Sequence, residues 1–391
     1  MIYNKALINK FSQKVLNKEL ISFYNQWKNR YLRVIKNNNS TLEYLFYTLD
    51  QPMTNNAVTC SEAMGYGMII FPIMSKFDSS AKKHFINLYN YIKTYPSFYN
   101  KNLMAWQQIK DSNNNIINSE PRTSSATDGD MDISYSLLIA NKLWKDDNID
   151  YRAEALIRIN ALMKSCVNKT DYILTLGDWV EGIENNNFKS VTRSSDFMIY
   201  IIKEFIKVDS LNKNNWILVI KKINSIINNQ LKNQSKFNGL MPDFFIKDKN
   251  TFIPPKTKIL ESIHDGDYFY NSCRVPFRYS MDTLINNAPI PNQINILNRW
   301  IKKSTNLIPR NIKSGYYLAN GIPGNAFGVA NDLSFVAPFL ISSLVEKNDN
   351  SWKIELFKTL LEKNITNCTF YENTLKLIAM IICTGNWISP S

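Results

Sequence analysis

Apolar residues recur at helical spacing from one end of the chain to the other, and this pattern limits the folds open to it. Trp216, Val219, Ile220, Ile223, Ile226 and Ile227 mark one face of a helix at i, i+3 and i+4 intervals. Leu156, Ile159, Leu162 and Met163 repeat the pattern, as do Leu137, Ala140, Asn141 and Trp144. Ile354, Phe357, Leu360 and Leu361 form another stripe, with Ser351 as the expected cap. Alternating strand patterns are scarce, and no βαβ order appears. Only 12 Gly and 14 Pro occur in 391 residues, which favours long helices over a loop-rich β fold.

Polar breaks at 37–40, 111–119, 184–187, 247–251 and 347–351 separate the helical segments, and none is long enough for an interdomain linker. The expectation is one all-α domain over residues 1–391, with ten or more helices. Hairpins closed into a toroid would suit this length.

Several functions are disfavoured. No apolar run approaches the roughly 18 residues of a membrane span. The first residues carry no secretion signal, leaving a cytoplasmic protein or one whose signal has been removed. Five scattered cysteines and two histidines give neither a disulfide framework nor zinc spacing, and a His-rich metal site or a His-dependent relay is not expected. The net charge of +13 invites a nucleic-acid reading. The lysines are scattered among Asn and Ile without an Arg-rich stripe, which points away from nucleic acid. The remaining chemistry falls to carboxylates.

Four segments concentrate acids, glycines and aromatics. In residues 61–68, Ser61 is the expected cap of a helix whose first turn holds Glu62. Gly65 and Gly67 weaken a helix by about 1 kcal/mol each. Their presence implies close approach of another backbone or a ligand. Residues 124–132 hold Asp128, Asp130 and Asp132, which repel one another unless something positive meets them. An EF-hand fails there for want of the final Glu. Residues 192–198 pair Arg193 with Asp196. Residues 261–278 mix Glu261, Asp265 and Asp267 with Tyr268, Phe269 and Tyr270. Aromatic faces with nearby carboxylates suit sugar binding. Each segment also has a plainer reading, as a capped helix start, a local ion pair or core.

Taken together, these blocks resemble glycoside hydrolase family 8. Residues 61–68 look like its general-acid motif and residues 126–140 like its second signature. Residues 103–107, 177–179, 193–198 and 271–278 follow in the family's order. The resemblance implies an (α/α)6 toroid and an inverting hydrolase of glucans, xylans or chitosan, most simply a secreted monomer without cofactor. It makes Glu62 the proton donor and Asp128 the acid that holds and distorts the sugar at the cleavage point. Tyr66, Trp106, Asp178, Trp179, Arg193, Asp196, Asn271 and Arg274 fall in these blocks, with Asp267 and Tyr270 just ahead of the last, and all are expected to bind substrate. Cellulase-type members carry a general-base Asp where this chain has Asn271, and an amide cannot take a proton from water. Another branch, holding chitosanases and lichenase-type glucanases, also has Asn there and a Glu about ten residues upstream. Glu261 fits that spacing, with Asp265 and Asp267 as rivals for the base.

Charge bears on the substrate. Residues 120–132 and 261–267 carry net −3 each, and Glu62, Asp178 and Glu181 add three more negatives. If these nine charges share one cleft, an acidic groove would favour the cationic sugars of chitosan. That polymer is the first expectation, with mixed-linkage or β-1,4-glucan as the alternative. An inactive carbohydrate-binding toroid is the reading from another class.

Overall fold

Twelve helices alternate between two rings in a computed structural model that describes residues 3–37, 40–145, 148–183 and 187–391. In chain order they are α1 Gln13–Tyr31, α2 Ser61–Met74, α3 Ala81–Thr94, α4 Thr127–Leu143, α5 Tyr151–Ser165 and α6 Ile199–Val208. There follow α7 Lys213–Asn233, α8 Val275–Asn286, α9 Asn292–Ser304, α10 Leu333–Ser343, α11 Asn350–Glu362 and α12 Phe370–Cys383. Short helices Lys5–Phe11 and Trp179–Gly182 lie outside this alternation.

The even-numbered helices form the inner ring. Every residue of α2 except Glu62 is buried, and α10 is buried throughout. A helix apolar all round must be surrounded by protein. The odd-numbered helices bury one stripe each, as Trp216, Val219, Ile223 and Ile226 do on α7. Trp27 of α1 closes the ring. Its indole lies 6.2 Å from Phe71 of α2 and 6.4 Å from Phe370 of α12, and its Nε1 donates to Thr374 at 2.9 Å. This is an (α/α)6 toroid.

Two capping expectations shift by a residue or two. Ser61 is the first helical residue, with Cys60 in the cap position. Ser351 lies inside the first turn of α11, behind Asp349. The breaks at 111–119 and 247–251 prove to be hairpin turns. The first joins β1 Gln107–Lys110 to β2 Ile116–Asn118, and the second joins β3 Phe244–Asp248 to β4 Thr251–Ile253. Positions 38–39 and 184–186 of two other breaks lie outside the described residues. Strand Ala57–Cys60 pairs with β1 and leads into Glu62, while Val191–Arg193 pairs with β3 and leads into Asp196. These small sheets sit where the chain enters inner helices, and so they set the positions of site residues.

Candidate active site

The chemistry gathers at the N-terminal ends of the inner helices. Glu62 and Asp128 occupy the first turns of α2 and α4. Asp196 precedes α6, Arg274 caps α8, Asp332 caps α10, and Tyr371 is in the first turn of α12. Unpaired N–H groups and the positive end of the helix dipole favour carboxylates at such positions.

Arg274 is the hub. Its Nη1 donates to Glu62 and, at 2.8 Å, to Asp128 Oδ2. Its Nη2 donates to Ser195 Oγ and Asn271 Oδ1, each at 3.0 Å. Asn271 Nδ2 in turn donates to Glu261 Oε2 at 2.7 Å. Arg193 spans the other side, 3.6 Å from Asp128 and 3.5 Å from Glu261. Glu62 and Glu261 thus face one cavity of about 260 Å³, bridged by Arg274 and Asn271. A neighbouring cavity of about 510 Å³ shares Gln51, Tyr270, Thr369 and Tyr371 with it.

The two inner acids are tuned apart. Burial pushes the Glu62 carboxyl up; Arg274 opposes this, and the Asp128 charge adds to it. A quarter of the Glu62 side chain (25 %) remains open to the cleft, and a bound sugar would cover that surface. Burial acts on Asp128 in the same direction, but Arg193 and Arg274 outweigh it and hold that carboxyl at about 2. One group is therefore suited to donate a proton, while its neighbour stays ionised.

Other sequence-predicted site residues divide into two sets. Trp106 and Tyr270 are 41 % and 40 % exposed, and Tyr270 lines both cavities while donating to Asp332 at 2.8 Å. Trp106 is fixed beside the acid, since its carbonyl accepts from Ser61 N at 2.8 Å. Tyr66, Asp178, Asp196 and Asp267 instead lie beneath the surface. Tyr66 packs under Glu62, with the Arg278 guanidinium 5.6 Å from its ring. Asp178 accepts from Ser97 Oγ and Ser125 N at 2.6 and 2.8 Å, tying two loops together. Trp179 packs against Phe188, 5.1 Å between rings. Burial drives Asp196 up to about 7 against the pull of Arg193. Asp267 accepts from the amides of Leu318, Ala319 and Asn320 and meets His264 at 3.0 Å. Asp178 and Asp267 are thus spent on the protein itself, whereas the Tyr66 hydroxyl and Asp196 Oδ2 are buried without a hydrogen-bond partner among the described residues.

Sequence reasoning missed Tyr47, Gln51 and Tyr371, which line the cavity. It also missed Asp243, which accepts from Phe269 N, Asn271 N and both donors of Ser272. A signal for Tyr371 was present. Thr369 and Glu372 form a capping box, which marks a helix start, where the chemistry of this fold collects.

A carboxyl raised by burial, a second carboxylate across the cavity and the half-exposed Tyr270 ring on its wall are the parts that a carbohydrate-cleaving toroid requires. The family model "Glycosyl hydrolases family 8" matches residues 2–385, and the chain belongs to that family. A "Beta-glucanase" of Niallia circulans is 36% identical over 381 residues, covering 97% of this chain and 87% of the relative. An "Endoglucanase" of Bacillus sp. (strain KSM-330) is 31% identical over 389 residues, 98% of this chain and 79% of the relative. The solved apo structure of a β-1,3-1,4-glucanase from Paenibacillus sp. X4 superposes with a TM-score of 0.86. It is 36% identical, and the match covers 96% of this chain and 94% of that one. The chain is a glycoside hydrolase.

Proposed function

We propose that this protein is an inverting glucanase acting on mixed-linkage β-1,3-1,4-glucan, with residues 1–391 as one catalytic domain. The observation that carries the mechanism is the pair Glu62 and Glu261 facing one cavity across the Arg274–Asn271 bridge. Glu62 gives its proton to the glycosidic oxygen as the bond to C1 breaks. A water attacks C1 from the opposite face, and Glu261 takes the proton that the water loses. Asp128 stays ionised beside the acid and holds the sugar at the cleavage point. Trp106 and Tyr270 offer ring faces for stacking.

The substrate choice reverses the first expectation. Chitosan is favoured only if the acids that give the motif segments their net −9 share one groove. Five of those acids are buried on protein partners: Asp130 on Arg158, Asp132 on Arg278, Asp178 on serines, and Asp265 and Asp267 on backbone amides. The cleft keeps Glu62, Asp128 and Glu261 against Arg193 and Arg274. That balance has little pull on a polycation, and relatives at 36% identity are glucanases. A polymeric glucan is met outside the cell, so the reading includes secretion, and one cleft per chain needs no second copy.

Reducing-sugar release from barley-type mixed-linkage glucan, carboxymethyl cellulose, xylan and chitosan tests the substrate. The mixed-linkage glucan should be cleaved fastest, with products whose first NMR-visible anomer is α. Cleavage of chitosan without glucan overturns the substrate reading, and β-anomer products overturn inversion.

A further inference from the structure

The residue proposed as base sits on an exposed loop. Residues 254–267 contain neither helix nor strand, and the Glu261 side chain is 46 % exposed. A general base must be held to a fraction of an ångström, and misplacement by about 1 Å costs on the order of 10²-fold in rate. Two side-chain contacts, from Asn271 and Arg193, guide the carboxylate itself. The backbone beneath it needs an anchor of its own.

Asp265 has the geometry of that anchor. It is completely buried. Its Oδ2 accepts the amides of Ile259, Leu260 and Glu261 at 2.8, 2.7 and 3.2 Å. Its Oδ1 accepts the amide of Ser262 at 2.8 Å. Four consecutive N–H groups therefore converge on one carboxylate, and the loop wraps around it with Glu261 third in the run. Such N–H concavities bind anions, and charge-assisted bonds of this kind are stronger than neutral ones. The Asp265 carbonyl also accepts from Phe244 N at 2.9 Å, fastening the turn to β3. With these amides occupying both oxygens, Asp265 is poorly placed to take a proton from water.

We propose that Asp265 is a positioning residue for the general base: it folds residues 259–262 around its own carboxylate and so fixes where Glu261 meets the attacking water. This rests on the reading of Glu261 as base. Asp265→Asn replaces one acceptor oxygen with a donor that faces amide donors, so the turn must open.

The test compares Asp265→Asn, Glu261→Ala and the double variant on whichever polysaccharide the enzyme cleaves best, with and without azide. Azide attacks C1 directly and has no proton to lose. Glu62 still protonates the leaving oxygen, and the product is a glycosyl azide. Asp265→Asn should lower kcat by about 10- to 100-fold at unchanged KM. Azide should restore its rate as it does for Glu261→Ala, and Asp265→Asn should add no further loss on the Glu261→Ala background. If Glu261→Ala keeps full activity, the reading of the base fails. If Glu261→Ala is inactive and rescued by azide while Asp265→Asn behaves as wild type, positioning alone fails. A higher KM with no azide response for Asp265→Asn also overturns it. Should Asp265→Asn not fold, hydrogen exchange on the unaltered protein decides. Amides 259–262 should be protected despite the loop's exposure, and free exchange at all four overturns the anchor.

Discussion

Arg274 does two opposed things for Glu62: it pairs with it, and so works against the protonated form that an acid catalyst needs. Burial and the Asp128 charge push the other way, and their sum leaves the carboxyl raised. Glu62→Gln keeps the shape and loses the proton, so kcat should fall about 10²- to 10⁴-fold while oligosaccharide binding survives. Retention of a tenth of the rate, measured on the same glucan, would contradict the assignment. Asp128→Asn tests the electrostatics. Removing that negative charge leaves Glu62 facing the arginines alone, and its pKa drops. Because the reaction needs Glu62 protonated, the alkaline limb of the pH–rate profile should move to lower pH. An unmoved or raised limb would show that Asp128 does not act on Glu62. Glu62, Asp128, Arg274 and Asn271 were all legible in the sequence, because each sits in a motif block. The burial of Asp178 and Asp267 on protein donors was not legible, for a physical reason. A sequence shows that an acid is present, but not whether its oxygens face a cleft or a row of amide and hydroxyl donors.

Glycines in the first turns of the inner helices decide how closely those helices approach. A Cβ on Gly129 of α4 would stand 2.5 Å from Ser61 Oγ and 2.6 Å from the Ser61 backbone carbon. One on Gly65 of α2 would meet Asp132 Cβ at 2.9 Å and the Gly129 carbonyl at 3.1 Å. The two helices therefore touch backbone to backbone just below Glu62 and Asp128. Gly65 meets the expected neighbouring backbone, whereas Gly67 makes room for the side chains of Leu45 and Leu88. Gly129→Ala should push α2 from α4, costing about 1–3 kcal/mol in denaturant titration. It should also lower kcat, because the acid and Asp128 would separate. Unchanged stability and kcat would show that the contact has room to give. Helices were readable here because a period of 3.6 needs a window of about 11–18 residues, which every ring helix but the ten-residue α6 supplies. The strands were not, since even the longest span six residues and several only two or three, too short for alternation to show. The small hairpins nevertheless deliver Glu62 and Asp196 to their helices.

Net charge acts at the scale of the whole molecule, and there the sequence misled through addition. The sum of +13 belongs to the surface, whereas acids clustered in sequence largely neutralise buried arginines or collect amide protons. Three carboxylates and two guanidiniums face one another across the Glu62–Glu261 region. A neutral glucan feels neither the body nor the cleft as a net field, so screening has nothing to remove. The rate on mixed-linkage glucan should therefore change by less than about twofold as the Debye length shrinks from about 30 Å at 0.01 M salt to about 3 Å at 1 M. A polycation must instead approach a body of like sign. Chitosan cleavage, where measurable, should be slower than glucan cleavage and should rise with added salt as that repulsion is screened. A chitosan rate that exceeds the glucan rate and falls with salt would mean that the cleft outweighs the body, and the substrate assignment would return to the cationic polymer.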